Sequence, residues 1–250
     1  MKKSFKLFLL ALCAVFACLA FIGCSSPTTT PEPTVTYIGS KTPTETKAVG
    51  DIVFTDGSAI PYTEELTNEQ KAAAIAVIFY VGDENDTLGA KTLGVGLDIS
   101  VTTKWCMDHV FSDKEHATSM TDGKRNTDEI KEMIDWTDEW AEDNFSYTFP
   151  AFYFCVNYNV KGFTSGWYLP AKEEVQKIYD NREPLYTVLT MLGKENPFES
   201  DLTWSSTNDV DYNGAWALNF KDTGHGLGSC YWYQGSYTNY KYNVCAIHTF

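Results

Sequence analysis

From Ala48 onward the chain alternates short apolar blocks with polar punctuation, and the length of each block predicts an element. "GDIVF" and "IAVIFYVG" are compact runs rich in Val, Ile and Phe and bounded by glycine, the pattern of buried strands. Between them Thr67 to Gln70, "TNEQ", has capping-box spacing and starts a helix at Asn68. "KTLGVGLDIS" reads as a further strand, with Gly94 and Gly96 weakening it or marking a bulge. The periodicity then lengthens. "TDEIKEMIDW" predicts a helix capped by Thr127, Pro150 suits a first helical turn in "FPAFYFCVNYNV", and Val175, Ile178 and Tyr179 share one helical face before a second helix after Pro184. From Leu202 the pattern returns to strands: "LTWSST", "GAWALNF", "CYWYQ" and "YNVCAIHTF". Helices in the middle and strands around them give an α+β fold.

The first 47 residues follow different rules. Lys2, Lys3 and Lys6 precede an apolar run from Leu7 to Ile22, too short for a membrane span and arranged like a secretory signal. Phe21-Ile22-Gly23-Cys24 resembles a lipoprotein processing site, with Phe21 where Leu is usual. The expected division is a signal peptide over 1–23, then a lipidated Cys24 that anchors the chain to the outer membrane without spanning it. Residues 24–47 continue as a Ser/Thr/Pro-rich tether too polar to bury a core, and 48–250 form one domain.

Charge narrows the partners. Removing the three leader lysines leaves 16 basic against 33 acidic residues, a formal charge of −17. Such a field opposes nucleic acid and anionic headgroups, so no nucleic-acid partner is expected.

Candidate chemistry is sparse. Four cysteines remain in the mature domain, Cys106, Cys155, Cys230 and Cys245, which allow three pairings in an exported protein. Cys106, His109 and His116 lack a second pair to complete a zinc site, and no metal or cofactor is expected. "GDENDT" lacks the glycine and glutamate of a calcium loop and reads as a solvated turn. The acidic run "DWTDEWAEDN" reads as an exposed face with buried tryptophans, and His225 and His248 as isolated surface residues. No GxSxG, HExxH, P-loop or dinucleotide fingerprint occurs, and no enzymatic activity is expected.

One stretch departs from the acidic background. Gly224 to Asn243, "GHGLGSCYWYQGSYTNYKYN", holds five of the chain's 15 tyrosines and four glycines, with no acidic residue. Tyrosine offers a large amphipathic contact area with few torsions to freeze, and Ser, Gly and Asn add adaptable hydrogen bonding, as in antibody paratopes. In "SCYWY" strand alternation places Tyr231 and Tyr233 toward solvent and Trp232 inward.

Gly166-Trp167-Tyr168-Leu169-Pro170, Glu174-Val175, Trp204-Ser205-Ser206-Thr207 and Ala215-Trp216 to Phe220 occur in the order seen in the Fibrobacter-succinogenes-type paralogous domain, which this chain resembles over about 150 to 250, with Tyr168 in place of Arg and Thr203 in place of Tyr. That resemblance implies a C-type lectin-like fold of the formylglycine-generating-enzyme type, mixing short strands with two or more helices. It makes Trp167, Leu169, Trp204 and Trp216 core anchors, has Ser205, Ser206 and Thr207 satisfy backbone groups, and pairs Cys155 with Cys245. The oxidase branch of that fold uses copper and a close cysteine pair; Cys230 and Cys245 are fifteen apart. The calcium triplets of sugar-binding lectins are also missing.

A lipoprotein with such a C-terminal stretch resembles the variable proteins of diversity-generating retroelements, in which adenine mutagenesis of a template varies chosen codons. The resemblance implies ligand-binding positions at Asp209, Asp211, Tyr212, Asn213, His225, Leu227, Ser229, Tyr231, Tyr233, Ser236, Tyr237, Asn239 and Tyr240, within a variable-type region of about 204–243. Trp216, Trp232, Gln234 and Lys241 are outside the reach of that mutagenesis. The expected protein is a monomer at the cell surface that binds a protein or glycan on a host or neighbouring cell. A formylglycine-generating-type oxidase and a non-diversified structural envelope lipoprotein are the alternatives.

Overall fold

The structure is a computed structural model that describes residues 35–98, 101–107, 115–135, 141–196, 198, 202–211, 214–220 and 240–250. The expected signal peptide, Cys24, His109 and most of the acidic run after Asp135 lie outside the described residues. Tyr37–Phe250 form one compact unit.

Among the described residues the expected strands appear, "YNVCAIHTF" as two of them, and assemble into two sheets, while "CYWYQ" lies outside the described residues. β1 (Asp51–Phe54), β2 (Ala59–Pro61), β3 (Ala74–Val81), β4 (Thr92–Gly96) and β9 (Ile247–Thr249) make an antiparallel sheet in the order β2-β1-β3-β4-β9. β5 (Val101–Thr103), β6 (Leu202–Asp209), β7 (Gly214–Asn219) and β8 (Tyr242–Val244) make the second, ordered β5-β8-β6-β7, with β6 and β8 parallel. The short β2 and β5 were not legible in the hydrophobic pattern.

β3 carries no polar alternation because both of its faces are covered. Val77 and Phe79 belong to a core shared with Val175, Ile178, Leu185, Val188 and Leu189. Ile75 and Ile78 join a second core with Ile130, Phe149, Phe152, Trp204 and Val244. The central sheet thus separates two apolar layers.

Among the described residues six helices flank the sheets: α1 (Asn68–Ala73), α2 (Gly123–Asp135), α3 (Ala141–Thr148), α4 (Pro150–Val156), α5 (Lys172–Asp180) and α6 (Arg182–Met191). α1 opens as expected, with Thr67 Oγ1 accepting from Gln70 N and Gln70 Oε1 accepting from Thr67 N. α2 opens five residues before its expected start. Asp122 accepts from Arg125 N at 3.0 Å and acts as the cap, while Thr127 is buried inside the helix. A glycine at the first helical position hid that start.

The part of the expected tether within the described residues makes contacts that its polar composition did not announce. Residues from Ile38 onward lie against β2: Lys41 and Ala59 exchange reciprocal backbone hydrogen bonds at 2.8 and 2.9 Å. Gly39 N donates to Ser58 Oγ, Ile38 N to Asp56 Oδ2, and Gln70 Nε2 to Ile38 O. Lys41 Nζ reaches the Asp51 carboxylate at 2.6 Å. A Cβ on Gly39 would sit 2.3 Å from Ala59 O, so the strap approaches β2 more closely than any side chain allows. No helix among the described residues is long and apolar enough to cross a membrane.

Candidate functional site

The second sheet is centred on β6, whose "WSSTN" stretch is fastened by its own side chains. Ser206 N donates to Pro170 O at 2.7 Å and Ser206 Oγ accepts from Asn126 Nδ2 at 3.0 Å. Ser205 Oγ donates to Trp216 O at 2.7 Å. Thr207 Oγ1 donates to Ser119 O and accepts from Lys172 N, both at 2.9 Å. The hydroxyls of Ser205 and Thr207 satisfy backbone groups of neighbouring segments, the use expected for them, whereas that of Ser206 meets a side-chain amide. Trp204 is buried, donates from Nε1 to Thr103 O at 2.8 Å, and packs on Tyr242 with ring centroids 4.4 Å apart. Tyr240 continues the aromatic series 6.0 Å from Tyr242, with 43% of its surface exposed.

Register places the predicted contact residues at two ends of this sheet. β6 pairs with β7 through Leu202↔Asn219 at one end and Asp209↔Gly214 at the other. β8 runs parallel to β6 with Thr203↔Asn243. The chain therefore leaves β7 after Asn219 and re-enters β8 at the same end of the sheet, where Tyr240 and Tyr242 lie. Asp209 and Asp211 belong to the opposite end, roughly 20 Å away at the rise of a strand. Asp209 is buried, and its Oδ1 accepts from Asp211 N at 3.3 Å; Asp211 is exposed. That end is tied down further by Asn208 N, which donates to Ala117 O at 2.6 Å. Ala117 itself sits at φ 54°, a strained conformation for a residue with a Cβ, and donates its N–H to Glu129 at 2.8 Å. Tyr212, Asn213, His225, Leu227, Ser229, Tyr231, Tyr233, Ser236, Tyr237 and Asn239 lie outside the described residues, as do Cys230 and the alternation expected around Trp232.

Several neighbouring expectations change. Trp216 is only half-buried, with the Lys172 ammonium 3.5 Å above its ring, so it is a cation–π partner of α5 rather than a core anchor. His248 is not an isolated surface residue: its ring packs among Phe163, Trp167 and Phe250 at 5.0, 5.2 and 4.7 Å, and burial pulls its pKa down. Cys155 and Cys245 are neighbours, as the family resemblance implied, but both are free thiols; Cys155 Sγ donates to Cys245 O at 3.6 Å. Burial raises both thiol pKa values, that of Cys245 to about 12. The "GDENDT" segment spends its carboxylates on its own backbone, Asp86 on Asp83 N and Asp83 on Asn85 N, as a solvated turn does.

Sequence reasoning gave Glu174 no role beyond its place in a motif. It is fully buried. Its Oε2 accepts from Ala171 N at 2.8 Å and from Gly123 N at 3.1 Å, and its Oε1 accepts from Tyr168 OH at 3.3 Å. Ala171 is the cap of α5 and Gly123 the first residue of α2, so one carboxylate serves the N-termini of two helices. Tyr168 in turn exchanges backbone hydrogen bonds with Ile247 of β9 at 3.0 Å. The glutamate three residues beyond the cap was the signal available in the sequence. Burial pushes the Glu174 pKa up to about 7, against the opposing pull of the two amide donors and Lys91.

Among the described residues no group of three or more His, Cys, Asp or Glu side chains converges in a way that could hold a metal ion. Comparison with protein-family models, curated proteins and solved structures finds no match.

Proposed function

We propose that this chain is a lipid-anchored binding protein of the bacterial cell surface that contacts a protein or glycan through its tyrosine-rich C-terminal segment. In this reading Cys24 carries the anchor, residues 25–36 form the tether, and the domain is a C-type lectin-like scaffold of the formylglycine-generating-enzyme type. The observation that carries it is the placement of the described residues on either side of 221–239, Phe220 and Tyr240. Both ends of this segment attach to strands that flank β6, β7 before it and β8 after it. Two strand spacings hold those ends about 10 Å apart. Phe220 fixes the departing end by stacking on Phe198 at 4.4 Å, and the Trp204–Tyr242 pair fixes the returning end. A segment rich in Tyr, Ser, Gly and Asn, held at both ends, has the composition and support of a paratope loop. The exposed ring of Tyr240 is its continuation among the described residues.

The test uses the soluble domain without Cys24, fluorescently labelled and applied to an array of glycans and extracellular proteins. The variant Tyr231→Ala/Tyr237→Ala/Tyr240→Ala is expected to lose the spots bound by the parent. It should melt within about 5 °C of it, because exposed substitutions each change stability by about 0.5 kcal/mol or less. A melting loss above about 10 °C would assign these rings to the core and overturn the reading. Diversification has its own check: a reverse-transcriptase gene and a near-identical template repeat should neighbour this gene, differing from it mainly at adenines.

A further inference from the structure

We propose that Glu174 is a proton-operated latch, which closes the junction of α2, α5 and the C-terminal strand β9 when protonated and loosens it when ionised. The geometry is that of a junction with one shared side chain. The N-termini of α2 and α5 converge so tightly that a Cβ on Gly123 would lie 2.3 Å from Leu169 O and 2.5 Å from Ala171 N. Ala171 has no side-chain oxygen to cap α5, and Gly123 N has a partner in the same carboxylate, so Glu174 fills both needs. Through Tyr168 OH the carboxyl also touches the residue bridged to Ile247, three residues from the C-terminus.

Among the described residues no cation pairs directly with this carboxyl. The side chain against its Oε1 is the Tyr168 phenol, which cannot neutralise an anion. The charged and titratable groups that face it are few. Asp122, ahead of α2, repels the ionised form and Lys91, ahead of β4, attracts it; the ionised carboxyl in turn raises the pKa of Tyr168 and of the buried Cys245 thiol. Removal from water outweighs the attraction and the two amide donors, and the group titrates at about 7 rather than 4.5.

The sign follows from linkage. A carboxyl whose folded pKa is raised favours the closed state when protonated. Its contribution is complete below about 4.5, where the opened state also binds the proton, and is lost as pH rises through about 7. Any opening that wets Glu174 becomes about 25-fold more frequent between about pH 5.5 and about pH 8. That window spans neutrality, where a change of about one pH unit shifts the frequency of opening about threefold.

Native-state hydrogen exchange tests the latch on the full soluble domain. Protection of the Gly123 and Ala171 amides, corrected for intrinsic exchange rates, should fall about 25-fold from about pH 5.5 to about pH 8. In Glu174→Gln, which keeps an acceptor for both amides and cannot ionise, it should stay constant within about twofold. A fall below about threefold in the parent, or an equal fall in the variant, overturns the proposal. Should the variant not fold, the carboxyl carbon of Glu174 is followed by NMR in the parent. A midpoint near about pH 7 supports the latch, and one below about pH 5 overturns it.

Discussion

The N-terminal strap sets how much of this chain is fold and how much is tether, and the Lys41–Asp51 pair is where that can be measured. Asp51 is almost wholly buried, its side chain 3% exposed, whereas Lys41 keeps 25% of its own in contact with water. The carboxylate takes Lys41 Nζ at 2.6 Å and Ala48 N at 2.7 Å. This asymmetry predicts unequal costs. Lys41→Ala leaves a buried carboxylate with one amide donor and the more distant field of Lys47; losing a partner of a buried charge costs about 3 kcal/mol or more in other proteins, reduced somewhat here by Lys47 and by the opening the lysine leaves for water. Asp51→Ala lets the ammonium swing into solvent and orphans only Ala48 N, a loss of about 2 kcal/mol. At about 2–4 °C per kcal/mol for a domain of this size, melting should fall by about 6–12 °C and about 4–8 °C respectively. The double variant should cost no more than Lys41→Ala alone, a coupling of about 2 kcal/mol, because the strap is released only once. Urea unfolding supplies the energies, and limited proteolysis should show cleavage between Tyr37 and Lys47 in both variants before global unfolding. If both singles stay within about 0.5 kcal/mol of the parent with no new cleavage, the strap contributes nothing and the tether extends to Lys47 as its composition implies.

Gly123→Ala should destabilise the helix junction despite improving helix propensity. The gain is about 1 kcal/mol, while a Cβ 2.3 Å from Leu169 O and 2.7 Å from Glu174 Oε2 forces α2 outward and weakens a charge-assisted bond, a net loss of about 2–3 kcal/mol read as a melting drop of about 5–10 °C. Cys155 and Cys245 should resist a thiol reagent at about pH 8 in the native state and react on unfolding without reductant, because burial holds both protonated. Mass spectrometry after denaturing alkylation reads this directly, and a disulfide between them would refute the free-thiol assignment.

Local signals carried much of the fold. The apolar blocks of β1, β3, β4, β6 and β7 are dense enough to mark strands unaided, and Thr67 with Gln70 announced α1 because capping is a contact between near neighbours in sequence. The signal weakens wherever the partner is remote. α2 began early because its amide is met by Glu174, 51 positions away, and no local pattern records that bond. The strap looked like tether because "YIGSKTPTETK" has little to bury; backbone bonds to Ala59 and an ion pair with Asp51 hold it instead.

The same division governs the candidate site. Composition alone singled out Gly224–Asn243, since tyrosine enrichment is a property of the list of residues. Which of those residues share a surface is a property of strand register, and register separated Asp209 and Asp211 from Tyr240 by the length of β6. The sequence by itself determined the α+β class, the apolar blocks and the unusual segment, because those depend on neighbours along the chain. Tertiary structure decided that Asp209 is buried, that Trp216 faces a lysine, and that one carboxylate joins two helices, because burial and desolvation arise only when distant segments meet.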